Sequence, residues 1–206
     1  GLEHWIVGKY ALNLVVTLLP VKVNGYKSLV VNVRLKNHYS PEEEDILTGY
    51  GYKVPKNQTP YYDLVKWREI ALTVFNCYEL CNIDHRSFFR SKIDVLFASE
   101  FNKDVNYFSS IVDSTTRDLH CFVVQVNDST FGDSRISQPT STIDKDLVKV
   151  KGGVNSCVIV GELDIERLRN FQVKDYNGQK REGFFKPTPP EFDKDQVQDR
   201  IDITVD

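Results

Sequence analysis

Residues 10–23 form an apolar, β-branched run, residues 26–35 form a second, and only Asn24-Gly25 separates them. That dipeptide accepts positive φ at both centres of a tight turn, so the pattern predicts a β-hairpin. Residues 36–66 follow neither a period of 2 nor one of 3.6, and Pro41, Gly49, Gly51, Pro55 and Pro60 interrupt them. They are expected to run as a long surface excursion that faces or covers a substrate. From Glu69 onward, short apolar runs alternate with longer mixed ones. This alternation predicts strands at 70–75, 93–98 and 122–126, with helices at 84–91 and 105–119. Strands follow at 134–138, 147–151 and 157–163, and then a helix at 164–171, where Asp164 can accept from first-turn amides. The expected whole is a layered α/β domain over residues 1–172. Residues 173–206, polar and carrying Pro187, Pro189 and Pro190, read as an extension or linker.

A chain of 206 residues with 41% hydrophobic positions is long enough for one domain and can bury a core. No run approaches the roughly 20 apolar residues that span a bilayer, and the start lacks a signal-peptide pattern. A soluble cytoplasmic protein with no membrane partner is expected. The net charge of -3 names no partner, because its field repels phosphate rather than attracting it. Four cysteines in a chain of this length read as reduced thiols rather than a disulfide scaffold. The sequence has no methionine, which points to a piece of a longer protein. Neither GxGxxG nor GxxxxGK[ST] occurs, which excludes a P-loop.

The candidate chemistry gathers where apolar runs stop. Cys77 follows the run at 70–75, and strand ends in layered α/β proteins are rigid and open to a crevice. Amide dipoles and a nearby cation would favour a thiolate there, although a cysteine is equally a small core residue. A rival reading joins Cys77, Cys81 and His85 at i, i+4 and i+8 as zinc ligands, but a fourth ligand is missing from the scattered His4, His38 and His120. The stretch from His85 to Lys92 interleaves Phe88 and Phe89 with Arg86 and Arg90, as a single-stranded nucleic-acid surface might; helical register would turn those rings inward. Lys36 ends the hairpin's second strand, and Glu42-Glu43-Glu44 follows soon after. Each of these, taken singly, is normally a solvated surface feature.

Taken in order, Lys36, Glu44, Asn76-Cys77-Tyr78-Glu79, the strand at 93–98, the helix at 105–119 and Cys121-Phe122-Val123-Val124-Gln125-Val126-Asn127 resemble the nitrilase (carbon-nitrogen hydrolase) superfamily. The resemblance runs from about Trp5 to Gln172 and includes Phe131-Gly132-Asp133-Ser134-Arg135-Ile136. It implies a nitrilase-like α-β-β-α sandwich, N-terminally incomplete, and a thiol-dependent hydrolase of a small-molecule amide or nitrile that needs no cofactor and no metal. Cys77 stands at the family's nucleophile and Lys36, 41 residues earlier, at its lysine. The lysine and the Tyr78 amide would hold the oxyanion, with Glu79 and Asn102 beside the substrate. Glu44 resembles the second glutamate of some members, a role for which Glu42 and Glu43 compete. The family's general-base glutamate lies well upstream of the lysine, whereas Glu3 is too near and precedes the wrong strand. The base is therefore expected outside this chain, or the domain is a non-catalytic interaction or regulatory module. The resemblance also implies a homo-oligomer. The stretches Phe131-Gly132-Asp133-Ser134-Arg135 and Lys151-Gly152-Gly153 look like the nitrilase-like domains of bacterial antiviral defence reverse transcriptases, which implies an attached polymerase domain.

Overall fold

The structure is a computed structural model that describes residues 2–154 and 157–202. The hairpin forms as the pattern predicts. Strand β2 (Tyr10–Val23) pairs antiparallel with β3 (Tyr26–Leu35), and the turn places Asn24 at φ 50° and Gly25 at φ 83°. A strand that the pattern did not predict, β1 (Leu2–Val7), pairs with β2 and completes a three-stranded sheet. Its register slips between Leu2 and Trp5, and His4 there has φ 58°. Such a bulge breaks strict alternation, so the run carries no clean period of 2.

The excursion at 36–66 contains a helix, α1 (Pro41–Gly49). Ser40 caps it and accepts from the Glu43 amide, Glu43 reaches back to the Ser40 amide, and Pro41 fills the first turn. Ser-Pro-Glu-Glu is a capping-box signature, so local chemistry sets this helix despite its weak apolar period.

The second sheet has six strands in the order β4 (Val65–Trp67), β5 (Ile70–Asn76), β6 (Val95–Glu100), β7 (Phe122–Asn127), β8 (Gly132–Ser137) and β9 (Asp146–Lys151). β5, β6 and β7 are parallel, so their C-terminal ends share one rim, while the outer pairs are antiparallel. Parallel neighbours need crossovers. Helix α2 (Ile83–Ser87) lies on the first and α3 (Val105–Leu119) on the second. The expected helix at 84–91 is cut short because the chain turns and Ser91 takes φ 66°. α3 covers one face, where Val112 and Leu119 pack on Phe75, Leu96 and Val123. Helix α4 (Ile165–Gln172) covers the other, with Leu168 and Phe171 on Leu72, Val95 and Phe122. Residues 157–163, expected as a strand, run without regular structure up to the Asp164 cap.

The chain after Val173 is not a linker over its described residues. Helices α5 (Tyr176–Glu182) and α6 (Lys194–Asp202) follow, and Phe185 and Val197 are buried. Asp94, fully buried ahead of β6, accepts from Arg169 Nη2 at 2.6 Å and Arg200 Nε at 3.2 Å, which ties α4 and α6 to the sheet. Arginines that anchor through a distant carboxylate leave no apolar period to read. Among the described residues, no helix is long and apolar enough to cross a membrane.

Candidate active site

Cys77 begins a 3₁₀ turn, Cys77–Cys81, at the C-terminal end of β5, with φ 47°. A left-handed non-glycine residue stores about 1–3 kcal/mol of strain, which the surroundings must hold in place. Glu79 supplies that hold. Its carboxylate is fully buried and accepts from Arg34 Nη1 at 2.7 Å, Arg34 Nη2 at 2.8 Å, the Asn37 amide at 2.6 Å and the Asn76 amide at 2.7 Å. One side chain thus binds the end of β3, which carries Lys36, to the end of β5, which carries Cys77. Arg34 also donates to the Val74 carbonyl at 2.7 Å, so the hairpin lies along the part of the β5 edge that β4 leaves free.

Lys36 is 2% exposed, and its ammonium donates to Glu43 Oε2 at 2.9 Å, lies 3.8 Å from Glu3 Oε1 and stands over the Tyr39 ring. Glu43 also accepts from Asn13 Nδ2 at 2.5 Å and the Ser40 amide at 3.3 Å, and its Oε1 lies 3.3 Å from His4 Nε2. Burial works to raise the Glu43 carboxyl, but the Lys36 charge and these hydrogen bonds outweigh it and hold the group below its ordinary value. Glu43, not Glu44, therefore partners the lysine. Glu44 points outward to Lys56 at 3.7 Å, since only one of three consecutive helical residues can face inward.

Glu3 reaches Lys36 because of the β1 bulge. The His4 amide donates to Asn13 Oδ1 at 2.9 Å, which fixes the bulged backbone, and bulges commonly re-aim a side chain. Glu3, set aside in the sequence as too near and before the wrong strand, thus lies 3.8 Å from the Lys36 ammonium.

The cysteine's electrostatics differ from the sequence expectation. Burial raises the Cys77 thiol above its ordinary value, and the Phe101 amide and the Lys36 charge oppose that rise, while Glu100 and Glu3 add to it. The balance favours the neutral thiol over a standing thiolate. The charges of Lys36, Glu3 and Glu100 all act on this sulfur.

Of the other expected site residues, Tyr78 follows Cys77 in the turn and is half-buried. Glu79 cannot touch a substrate, since all its acceptor capacity serves the protein. Asn102 lies in the loop after β6, where its backbone amide donates to Asn127 Oδ1 at 2.9 Å, its Oδ1 accepts from the Asp104 amide at 2.9 Å and its Nδ2 is buried without a partner. The zinc arrangement does not form. A 3₁₀ turn does not align residues at i and i+4, and His85 instead stacks on His38 with centroids 5.0 Å apart. Among the described residues, no three metal-ligating side chains converge. The basic-aromatic cluster is committed internally in part: Arg86 donates to Thr115 Oγ1 at 2.7 Å, Arg90 to the Asp118 carbonyl at 3.0 Å, and Phe89 is core, whereas Phe88, expected inward, is exposed. Glu100 escapes the sequence reading because it ends an apolar strand, while Glu3, named there only to be set aside, is re-aimed by a bulge.

No family model matches the chain, and no curated protein matches it. Among solved structures, a cysteine-to-alanine mutant of the Nesterenkonia AN1 amidase from the nitrilase superfamily aligns over 82% of this chain and 67% of its own, with 12% identity and TM-score 0.51. A CN-hydrolase superfamily protein from Xanthomonas campestris aligns over 69% of this chain and 60% of its own, with 13% identity and TM-score 0.47. The likeness to the amidase is one of fold. This chain spans 60% of the length of the Xanthomonas protein.

Proposed function

We propose that this chain, with the mixed α/β fold of the nitrilase superfamily, is a thiol-dependent hydrolase of a small-molecule amide or nitrile. The observation that supports the reading is that Glu79 fastens the strand ends leading into Lys36 and Cys77, while Lys36 lies 3.8 Å from Glu3 and its charge acts on the Cys77 thiol.

For an amide, Glu3 takes the proton of the Cys77 thiol as sulfur attacks the carbonyl carbon. A C–S bond forms and the carbonyl π pair moves onto oxygen. The Lys36 ammonium and the Tyr78 amide hold that oxyanion, an arrangement that acts most strongly where water is excluded. Collapse breaks the C–N bond, and the amine leaves with the proton that Glu3 carried. Water then attacks the thioester, giving up a proton to Glu3, and the acid leaves as the thiol is restored. Glu43 fixes the ammonium of Lys36 throughout.

The test is ammonia release from a panel of small amides and nitriles. Cys77→Ala and Lys36→Gln should abolish it, Glu3→Gln should reduce it by two or more orders of magnitude, and Cys81→Ala should leave it intact. Equal loss in the Cys77 and Cys81 variants, or full activity in Cys77→Ala, would overturn the assignment.

A further inference from the structure

Besides Glu3, the carboxylates of Glu43, Glu79 and Glu100 belong to this region, and they differ in what their oxygens do. Glu79 is saturated by four donors and Glu43 by Lys36, Asn13 and the Ser40 amide. Glu100 is not saturated. It ends β6, and the parallel register pairs Asn76 with Ser99 and Glu100 with Asn127, so Cys77 and Glu100 are next in line on adjacent strands. Neighbouring strands run about 4.8 Å apart, so the strand end that leads into Cys77 and the end of β6 at Glu100 are neighbours on the rim.

Glu100 is 9% exposed. Its Oε2 accepts from Gln125 Nε2 at 2.8 Å, whereas its Oε1 is buried without a hydrogen-bond partner. Gln125 is itself held by Arg135 Nε at 2.9 Å, and Arg135 is anchored to Asp113 Oδ1 at 3.1 Å and to the Ser109 carbonyl at 2.7 Å on α3. These bonds fix the carboxylate from the β7 side and leave its other oxygen without a protein donor at the rim that Cys77 follows. A buried acceptor left vacant is unfavourable, and a bound donor relieves it. The same burial, with only part compensation from Gln125 and Arg135, pushes Glu100 up to about 7.

We infer that Glu100 Oε1 is a substrate-recognition group that accepts a hydrogen bond from an N–H of the molecule attacked by Cys77, selecting amides that retain an N–H over fully N-substituted ones. This inference rests on Cys77 being the nucleophile of the proposed hydrolase, and it adds a residue that neither the sequence nor the superfamily resemblance assigned.

The test uses the intact chain at pH 8 and reads alkylation of Cys77 by peptide mass mapping. The probes are 2-iodoacetamide and N,N-dimethyl-2-iodoacetamide, each normalised to its rate with glutathione. Wild type should favour the N–H-bearing reagent about tenfold, the value of one charge-assisted hydrogen bond. In Glu100→Gln the bond from Gln125 retains the amide oxygen, which turns the NH₂ toward the vacant position, and the preference should fall below about twofold. Glu100→Ala should do the same, and circular dichroism checks that each variant folds. A preference that survives in the folded variants, or none in wild type while Cys77 reacts readily, overturns the inference alone. If Cys77 in wild type reacts with neither reagent while exposed Cys157 reacts with both, the nucleophile assignment falls and the inference falls with it.

Discussion

Replacing Glu79 by Gln should be among the most damaging single changes in this chain. The variant retains the size of the side chain but removes the charge opposite Arg34, whose side chain is 1% exposed, and a carboxamide cannot accept all four bonds that Glu79 now accepts. Breaking a buried ion pair on one side costs about 3–5 kcal/mol, because the remaining charge is left without compensation. An orphaned amide at Asn37 or Asn76 adds about 1–3 kcal/mol, partly overlapping with the first cost. For a protein of this size each kcal/mol moves Tm by about 2–4 °C, so the variant should melt at least about 6 °C below wild type. Thermal unfolding followed by circular dichroism reads the shift. The paired change Arg34→Met with Glu79→Gln should recover part of the loss, since it removes the stranded guanidinium. A Tm within 2 °C of wild type for Glu79→Gln would refute the claim that this carboxylate joins the two strand ends.

Two further outcomes follow from the same site. Glu100 binds its proton more tightly when folded than at its ordinary value of 4.5, so wild type loses stability as pH rises from about 4.5 through about 7. That interval corresponds to about 3 kcal/mol, so Glu100→Gln should be more stable than wild type at pH 8 and lose its advantage near pH 4.5; a pH-independent difference in chemical denaturation would contradict this. Cys77 holds φ 47° without being glycine, so Cys77→Gly should be as stable as Cys77→Ala or more so, against the usual cost of glycine. A glycine variant less stable than the alanine one by 1 kcal/mol would show that the turn is unstrained.

Much of the fold was legible where local pattern decides. Asn24-Gly25 announced the hairpin, and the alternation after Glu69 announced the three parallel strands and α3. The candidate nucleophile and lysine were legible as residues at strand ends. The partners were not, because each depends on a long-range pairing or a break in period. Glu79 finds Arg34 across 45 positions, so its burial could not be read from its neighbours, and it looked like a group facing substrate. Glu43 and Glu44 are adjacent, and only the Ser40 cap, which sets where the helix starts, decides which one meets Lys36. Arg169 and Arg200 secure the C-terminal helices through Asp94, so a stretch that reads as polar extension packs onto the domain.

The central claim is that the Lys36 ammonium acts on the Cys77 thiol, and the pH dependence of Cys77 alkylation tests it most directly. With Cys157 in the same samples as an exposed reference, Lys36→Gln should move the Cys77 midpoint upward and leave that of Cys157 unchanged, since the variant removes an attraction that opposes burial. An identical Cys77 midpoint in the folded variant and wild type would contradict the account.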